Sequence, residues 1–532
     1  MSKLSSFLVL ILISTSLYSQ NNRGSEAVIE NIQKISKALV YIDKYYVDTI
    51  NISKIVDKTI SDMLDQLDPH STYIPAEMVS EMNEPLEGSF NGIGIEFIIV
   101  KDTLTVQAPV FGGPSALVGI LAGDKIVSVD GENIAGVGIS NDKIFKYLRG
   151  PKGTKVELKI LRQKVSDTLD FVVTRDKIPL NSLDAYYEAA PGVLYMKLGK
   201  FAITSPSEII DAFISMHKYP RGVILDLRGN GGGFLGVSLM ISNFFLQKDE
   251  MILYTEGLNS PKKEEYANGR GVYQKGPLVV LIDENSASAS EIVAGALQDW
   301  DRAVIIGRKS FGKGLVQQMM PLDGGSQMRL TVARYHTPSG RVIQSPYKLG
   351  DKKEYYKAFL SRYENGEFYN KDSINFPDSL KYKTLKKGRV VYGGGGIMPD
   401  IFVPQDTSYF SEYYARIIRM GVFNEYMNIY CDRNRLSFKE KYPDFDTFFK
   451  EFNVDQQMFS ELIEYSKQSG INPVIEQIEK SKSMMELQMK ALVARSIFGM
   501  DSYYKVLNNV NNEAYNKAMY VIENWSEIFD EI

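Results

Sequence analysis

From Glu26 to Val79 the apolar positions fall at helical spacing: Ile29, Ile32, Ile35, Leu39, Val40 and Ile42, then Ile55, Ile60, Met63, Leu64 and Leu67. Asp68-Pro69-His70-Ser71 breaks the pattern. From Pro85 to Thr174 it shortens to strands parted by glycine turns, at Gly94 to Val100, Thr103 to Gln107, Lys125 to Val129 and Lys155 to Leu161. Beyond Lys177 strands and helices alternate. Val223 to Leu227, Leu278 to Ile282 and Val304 to Ile306 are the apolar runs that a sheet covered on both faces requires. Residues 348–396 are rich in Lys and Tyr and predict a surface insertion of loops and short helices. From Ser411 onward helical spacing returns at Ile417, Ile418, Val422, Ile475, Ile478, Met485, Leu487, Leu492 and Ile497. The pattern divides the chain into a helical region (26–84), a small β-domain (85–175), an α/β core (176–405) and a helical extension (406–532).

At 532 residues the chain is too long for one core. Residues 1–19 read as a signal peptide: Lys3 gives the positive end, Phe7 to Ile13 an apolar run too short to span a bilayer, and Ser16 to Gln20 a small or polar exit. The expected location is therefore extracytoplasmic, in a periplasm, with no membrane span once the signal is removed. The single cysteine, Cys431, rules out an intrachain disulfide and any site built from several Cys ligands. A net charge of −4 offers no basic surface for nucleic acid. No metal and no cofactor are implied.

Candidate chemistry gathers at Ser286-Ala-Ser288-Ala289-Ser-Glu291 and Phe311-Gly-Lys313-Gly314. Ser288 follows a strand and opens a helix whose apolar face is Ile292, Val293, Ala296 and Leu297, so its hydroxyl lies beside free helix N–H groups. The same segment fits a capping box in which Ser288 only satisfies helix amides. A catalytic serine needs a base, and the chain holds three histidines, none in a persuasive context. Lys313 is the base to weigh. An ordinary lysine has a pKa of about 10.4, and lowering it to near 7 costs about 4 to 5 kcal/mol, which burial can impose. The lysine segment nearly spells a phosphate-binding P-loop. Gly314, however, stands where that motif needs Ser or Thr, and a strand follows rather than a helix. For an oxyanion, the N–H of Ala289 and that of Gly232, in the Arg228-to-Gly233 loop, are the expected donors, with Gly233 as the alternative.

In the β-domain, Gly92-Ile93-Gly94-Ile95 can present backbone N–H groups to a carboxylate, and the strand beside it can accept an extended peptide. With Ala122-Gly-Asp124 and Val129-Asp-Gly131 this segment resembles a PDZ domain, which captures polypeptides by their free C-termini. Arg149, before a glycine turn at the domain's edge, is a candidate regulatory residue that would pair with the catalytic core when the groove is occupied.

Together, Leu225 to Gly233, Ser286 to Ile292, Phe311 to Gly314 with Val316-Gln317, Thr337 to Arg341 and Gly396 to Asp400 resemble the C-terminal processing peptidases, or tail-specific proteases. The PDZ segment and Asp68 to Tyr73 stand upstream in that family's order. The resemblance implies a crotonase-like α/β protease core carrying an inserted PDZ domain, with Ser288 as nucleophile, Lys313 as general base and Gln317 orienting the amine. Gly231 replaces the family's usual proline. Asp299 reads as structural support. The implied partners are polypeptide substrates with free C-termini, and a homo-oligomer through the helical regions is allowed. Two rival functions stand beside this one: a non-catalytic PDZ peptide-binding scaffold and a crotonase-type acyl-thioester enzyme.

Overall fold

The runs at Gly222–Asp226, Leu278–Ile282 and Val304–Gly307 are parallel neighbours at the centre of a six-stranded sheet. Leu183–Ala190 and Val193–Leu198 extend it on one side as an antiparallel pair, and Ile401–Phe402 closes the other. These positions come from a computed structural model that describes residues 26–110, 112–163 and 165–532. The expected signal peptide, 1–19, lies outside the described residues.

Side chains alternate across a strand, so an unbroken apolar run needs two covered faces. On one face Val223, Leu225, Leu278 and Val280 pack beneath helices Leu235–Phe245 and Ala289–Asp299. On the other, Ile224, Val279, Leu281 and Val304 meet Tyr515, Ala518, Val521 and Ile522 of the helix Glu513–Glu523. The helical extension is thus two packing units. Its helices from Glu412–Arg419 through Ile475–Phe498 build a core of their own around Phe423, Phe448, Leu462 and Met489, while Glu513–Glu523 completes the α/β core. The reason is legible at Ala514, Tyr515, Ala518, Val521 and Ile522, a helical stripe wide enough to cover a sheet.

A second sheet flanks the first. Its long strand Gln327–His336 pairs with Leu315–Pro321, with Met251–Gly257 and, at its start, with Thr72–Ile74 from the N-terminal region. The β-domain enters and leaves through one antiparallel ladder, Ser89–Gly92 against Asp176–Pro179. Its own sheet leaves Ile95–Val100 as an edge strand, paired only with Thr103–Pro109. The insertion 348–396 contains helix Lys352–Glu364 and two short 3-10 turns. Helix Lys352–Glu364 lies against the lysine segment: Tyr355 meets Phe311 and His70 edge-on, and Arg362 donates to the carbonyls of Ser310 and Lys309.

Candidate active site

Ser288 sits between the strand Leu278–Ile282 and the helix Ala289–Asp299, at φ +57° and ψ −112°. A non-glycine residue held at such angles is strained, and strain of this kind gathers at functional turns. The expected capping box is in place. Glu291 reaches back to accept the Ser288 N–H at 2.8 Å, and its own N–H lies 2.9 Å from the Ser288 carbonyl.

Glu291 does more than cap. Its Oε2 also accepts the Lys313 N–H at 2.8 Å, while its Oε1 accepts from Gly312 N–H at 2.7 Å and Ser310 Oγ at 2.5 Å. One buried carboxylate therefore fastens the lysine loop to the serine turn. Tyr335 repeats the link from the other side, its hydroxyl reaching the Lys313 carbonyl at 2.8 Å and the Ser288 carbonyl at 3.3 Å. Burial pushes the Glu291 carboxyl up to about 7, against the pull of those four donors.

The Lys313 amine donates to Gln317 Oε1 at 3.0 Å, and Gln317 Nε2 in turn donates to the His70 carbonyl at 2.5 Å. Residues 313 and 317 are thus brought together. Burial lowers the lysine's pKa, and the positive charge of Arg329 lowers it further, against the opposing carboxylates of Glu291 and Asp68. Ser288, Ala289, Lys313 and Gln317 line one cavity of about 300 Å³, together with Gly231 to Leu235, Leu86, Met319, Arg329 and Tyr335.

The loop after Gly222–Asp226 comes close because it has no side chain at Gly232, where a Cβ would sit 2.8 Å from Ser288 Cβ. The expectation that Gly232 donates to an oxyanion needs correcting: its N–H is engaged by Asn230 Oδ1 at 2.8 Å. Gly233 lines the same cavity, and among the described residues its N–H has no acceptor. The loop is anchored by Asp226, which accepts from Arg228, and Arg228 reaches Asn512 Oδ1 at 2.9 Å. Burial alone would raise the Asp226 carboxyl, but Arg228 and Lys197 hold it far below the usual range. Asp299 pairs with the fully buried Arg341 and accepts the Ser339 N–H at 2.9 Å, which supports the Thr337-to-Arg341 turn.

Gly92, Ile93, Gly94 and Ile95 form the turn into the edge strand, with Gly94 at φ +72° and Ser115 tied to the Ile93 carbonyl. The edge strand faces helix Asn141–Leu148 across the edge-on pair Phe97 and Phe145, 5.6 Å apart. Arg149 follows that helix. It pairs with Glu84 at 2.6 Å and lies over Phe90 and Phe145. Glu84 belongs to helix Ala76–Glu87, whose Leu86 lines the cavity.

Sequence reasoning missed His70, Arg329 and Tyr335. His70, pushed down to about 4 by burial and by Lys313, stands neutral beside the amine. The only signal for it was the Asp68-to-Tyr73 motif, whose role is now clear: Asp68 accepts from His70 N–H, Ser71 and Thr331 and docks the turn on the long strand.

Comparison with known proteins follows the same residues. Residues 192–349 match the model of peptidase family S41, residues 105–162 that of a PDZ domain and residues 413–499 that of a family of unknown function. A carboxy-terminal-processing protease of Bartonella bacilliformis is 36% identical over 341 residues, covering 63% of this chain and 77% of that protein. The chain belongs to peptidase family S41, the carboxy-terminal processing proteases. The carboxy-terminal processing protease CtpA of Bacillus subtilis is 34% identical over 342 residues, 64% of this S41 protease and 71% of its relative. Among solved structures, a photosystem II D1 C-terminal processing protease is similar at 25% identity and a TM-score of 0.35, over 69% of this chain and 86% of that one. As an S41 peptidase the protein is a serine protease acting on polypeptides, and its inserted β-domain is a PDZ domain. Among the described residues no helix is long and apolar enough to cross a membrane.

Proposed function

We propose that the protein is an exported endopeptidase that grips substrates by their C-termini through the PDZ loop Gly92 to Ile95 and cleaves them with a Ser288/Lys313 dyad. The observation that carries this reading is the single cavity lined by both side chains, with their backbones clamped to one carboxylate of Glu291. Ser288 Oγ attacks the scissile carbonyl while Lys313 Nζ takes its proton. The oxyanion is received by the N–H groups of Ala289 and Gly233, and the lysine returns the proton to the leaving amine. Water, deprotonated by the same amine, then releases the acyl group. Gln317, tied to the His70 carbonyl, points the amine. Export rests on the signal-like residues 1–19. Incubation of an unfolded test protein with wild type, Ser288→Ala and Lys313→Ala tests the dyad, and cleavage by either variant at the wild-type rate sinks it.

Two finer proposals accompany the first. Arg149 regulates through Glu84, because the helix it holds also carries Leu86 into the cavity. Self-association uses helix 26–45, where Val28, Ile29, Ile32 and Val40 stay more than half exposed. Light scattering of an Ile29→Glu/Ile32→Glu variant tests the latter; an unchanged mass rejects it.

A further inference from the structure

The walls of the Ser288 cavity are apolar or uncharged apart from two residues, Lys313 and Arg329, and both are cationic. Lys313 has a task that requires it to lose its charge. Arg329 cannot lose its own at any working pH, so it is the permanent cation of the cavity.

Other arginines of the interior are satisfied, either by carboxylates, as Arg341 is by Asp299, Arg228 by Asp226 and Arg389 by Asp301 and Asp400, or by backbone carbonyls, as Arg302 is by those of Phe245, Tyr273 and Gly276. Arg329 is not. Among the described residues no carboxylate lies within 4.0 Å of its guanidinium, its Nε is buried without a partner, and its one hydrogen bond is a long contact of 3.3 Å to the neutral Asn83 amide. Asp68 is already committed to His70 N–H, Ser71 and Thr331. A half-buried guanidinium left in this state is costly to the fold unless something supplies the missing anion. Its position decides what that is. Arg329 and Tyr335 both line this cavity, and Tyr335 is hydrogen-bonded to the backbones of Ser288 and Lys313. An extended substrate whose scissile carbonyl lies at Ser288 therefore passes its neighbouring side chains along this wall.

We infer that Arg329 is a specificity-determining residue, which takes the side-chain carboxylate of a substrate Asp or Glu placed within two residues of the scissile bond. The fork of N–H donors suits a carboxylate bidentately, and the apolar walls from Leu86, Ile292 and Met319 strengthen that pairing by excluding water. The inference deepens the proposed function and rests on its placement of the scissile bond at Ser288.

The test uses the full chain and paired peptides that differ only as Glu/Gln or Asp/Asn at each of the two positions on either side of the bond, every pair made with a free and with an amidated C-terminus. In wild type one acidic position should raise kcat/KM about tenfold or more over its amide partner. Arg329→Met should bring that ratio near one, Arg329→Lys should keep part of it, and Arg329→Glu should turn the preference toward the amide member of the pair. Binding of the same peptides to Ser288→Ala protein, and to the Ser288→Ala/Arg329→Met double variant, reads the contact without turnover. A failed dyad, seen as cleavage that survives Ser288→Ala, is thus told apart from a failed Arg329 contact. A wild-type ratio of one at all four positions overturns the inference. So does a ratio that Arg329→Met leaves unchanged, or an effect that follows only the C-terminal amide. The wild-type comparison stands even if a variant fails to fold.

Discussion

The main-chain N–H groups of Ser288 and Lys313, 25 residues apart in sequence, converge on the same atom, Glu291 Oε2, each at 2.8 Å. Two hydrogen-bond lengths therefore bound the distance between the two backbones. Glu291→Gln should cost tenfold or more in kcat, because the amide nitrogen must face an N–H donor whichever way it turns, leaving an unsatisfied pair worth about 1–3 kcal/mol. Steady-state kinetics on a folded variant checks this.

The same residue should mark the stability curve. With its carboxyl raised from the ordinary 4.5 to about 7, the folded protein keeps a proton there that the unfolded chain releases. The resulting contribution is complete below pH 4.5 and disappears as pH rises through 7. Wild-type stability relative to Glu291→Gln should accordingly fall between pH 5 and 8 in denaturant titrations. Parallel curves would refute the assignment.

Ser288→Ala, Lys313→Ala and the double variant should be about equally inactive, since the two groups act as one unit. Lys313→Arg should be inactive too, because guanidinium does not give up its proton. Measurable turnover by Lys313→Arg would point to a different base.

Because burial and Arg329 both lower the Lys313 pKa, activity should climb as pH rises through that depressed value and the amine becomes neutral. Arg329→Met removes one of the two influences, so its rising limb should move to higher pH. Coincident limbs in a chemistry-limited assay would show that the guanidinium does not act on the amine.

Amidating the C-terminus of a peptide should weaken its binding to full-length Ser288→Ala protein about tenfold, or about 1.4 kcal/mol. Equal affinities would mean that Gly92 to Ile95 does not read chain ends. Glu84→Gln and Arg149→Ala should each slow cleavage of protein substrates without changing this affinity.

Much of the site was legible because its chemistry is local. Ser288 stands at a strand-to-helix junction, Gln317 four residues after Lys313, and Gly232 in a glycine run, all patterns of short range. His70, Arg329 and Tyr335 were hidden because nothing in their own segments marks them; docking across the long strand brings them in, as the His70–Gln317 bond across 247 residues shows. Gly232 misled for a related reason: spacing places a backbone atom but not what its N–H already holds. Arg149 was legible at the domain's edge, whereas its pairing with Glu84 was not, since Glu84 sits on a helix that the pattern separates from the PDZ domain.

The helix Glu513–Glu523 covers a sheet whose strands were all made well before it; Arg228 and Asn512, which touch, are 284 positions apart. A chain folding from its N-terminus must hold Tyr195, Ile224, Val279 and Val304 bare to solvent until that helix arrives. Until then the loop carrying Gly233 lacks its Asn512 tether. Order of synthesis thus places completion of this loop last: the chain must be made almost to its end before the sheet is covered and Arg228 meets Asn512.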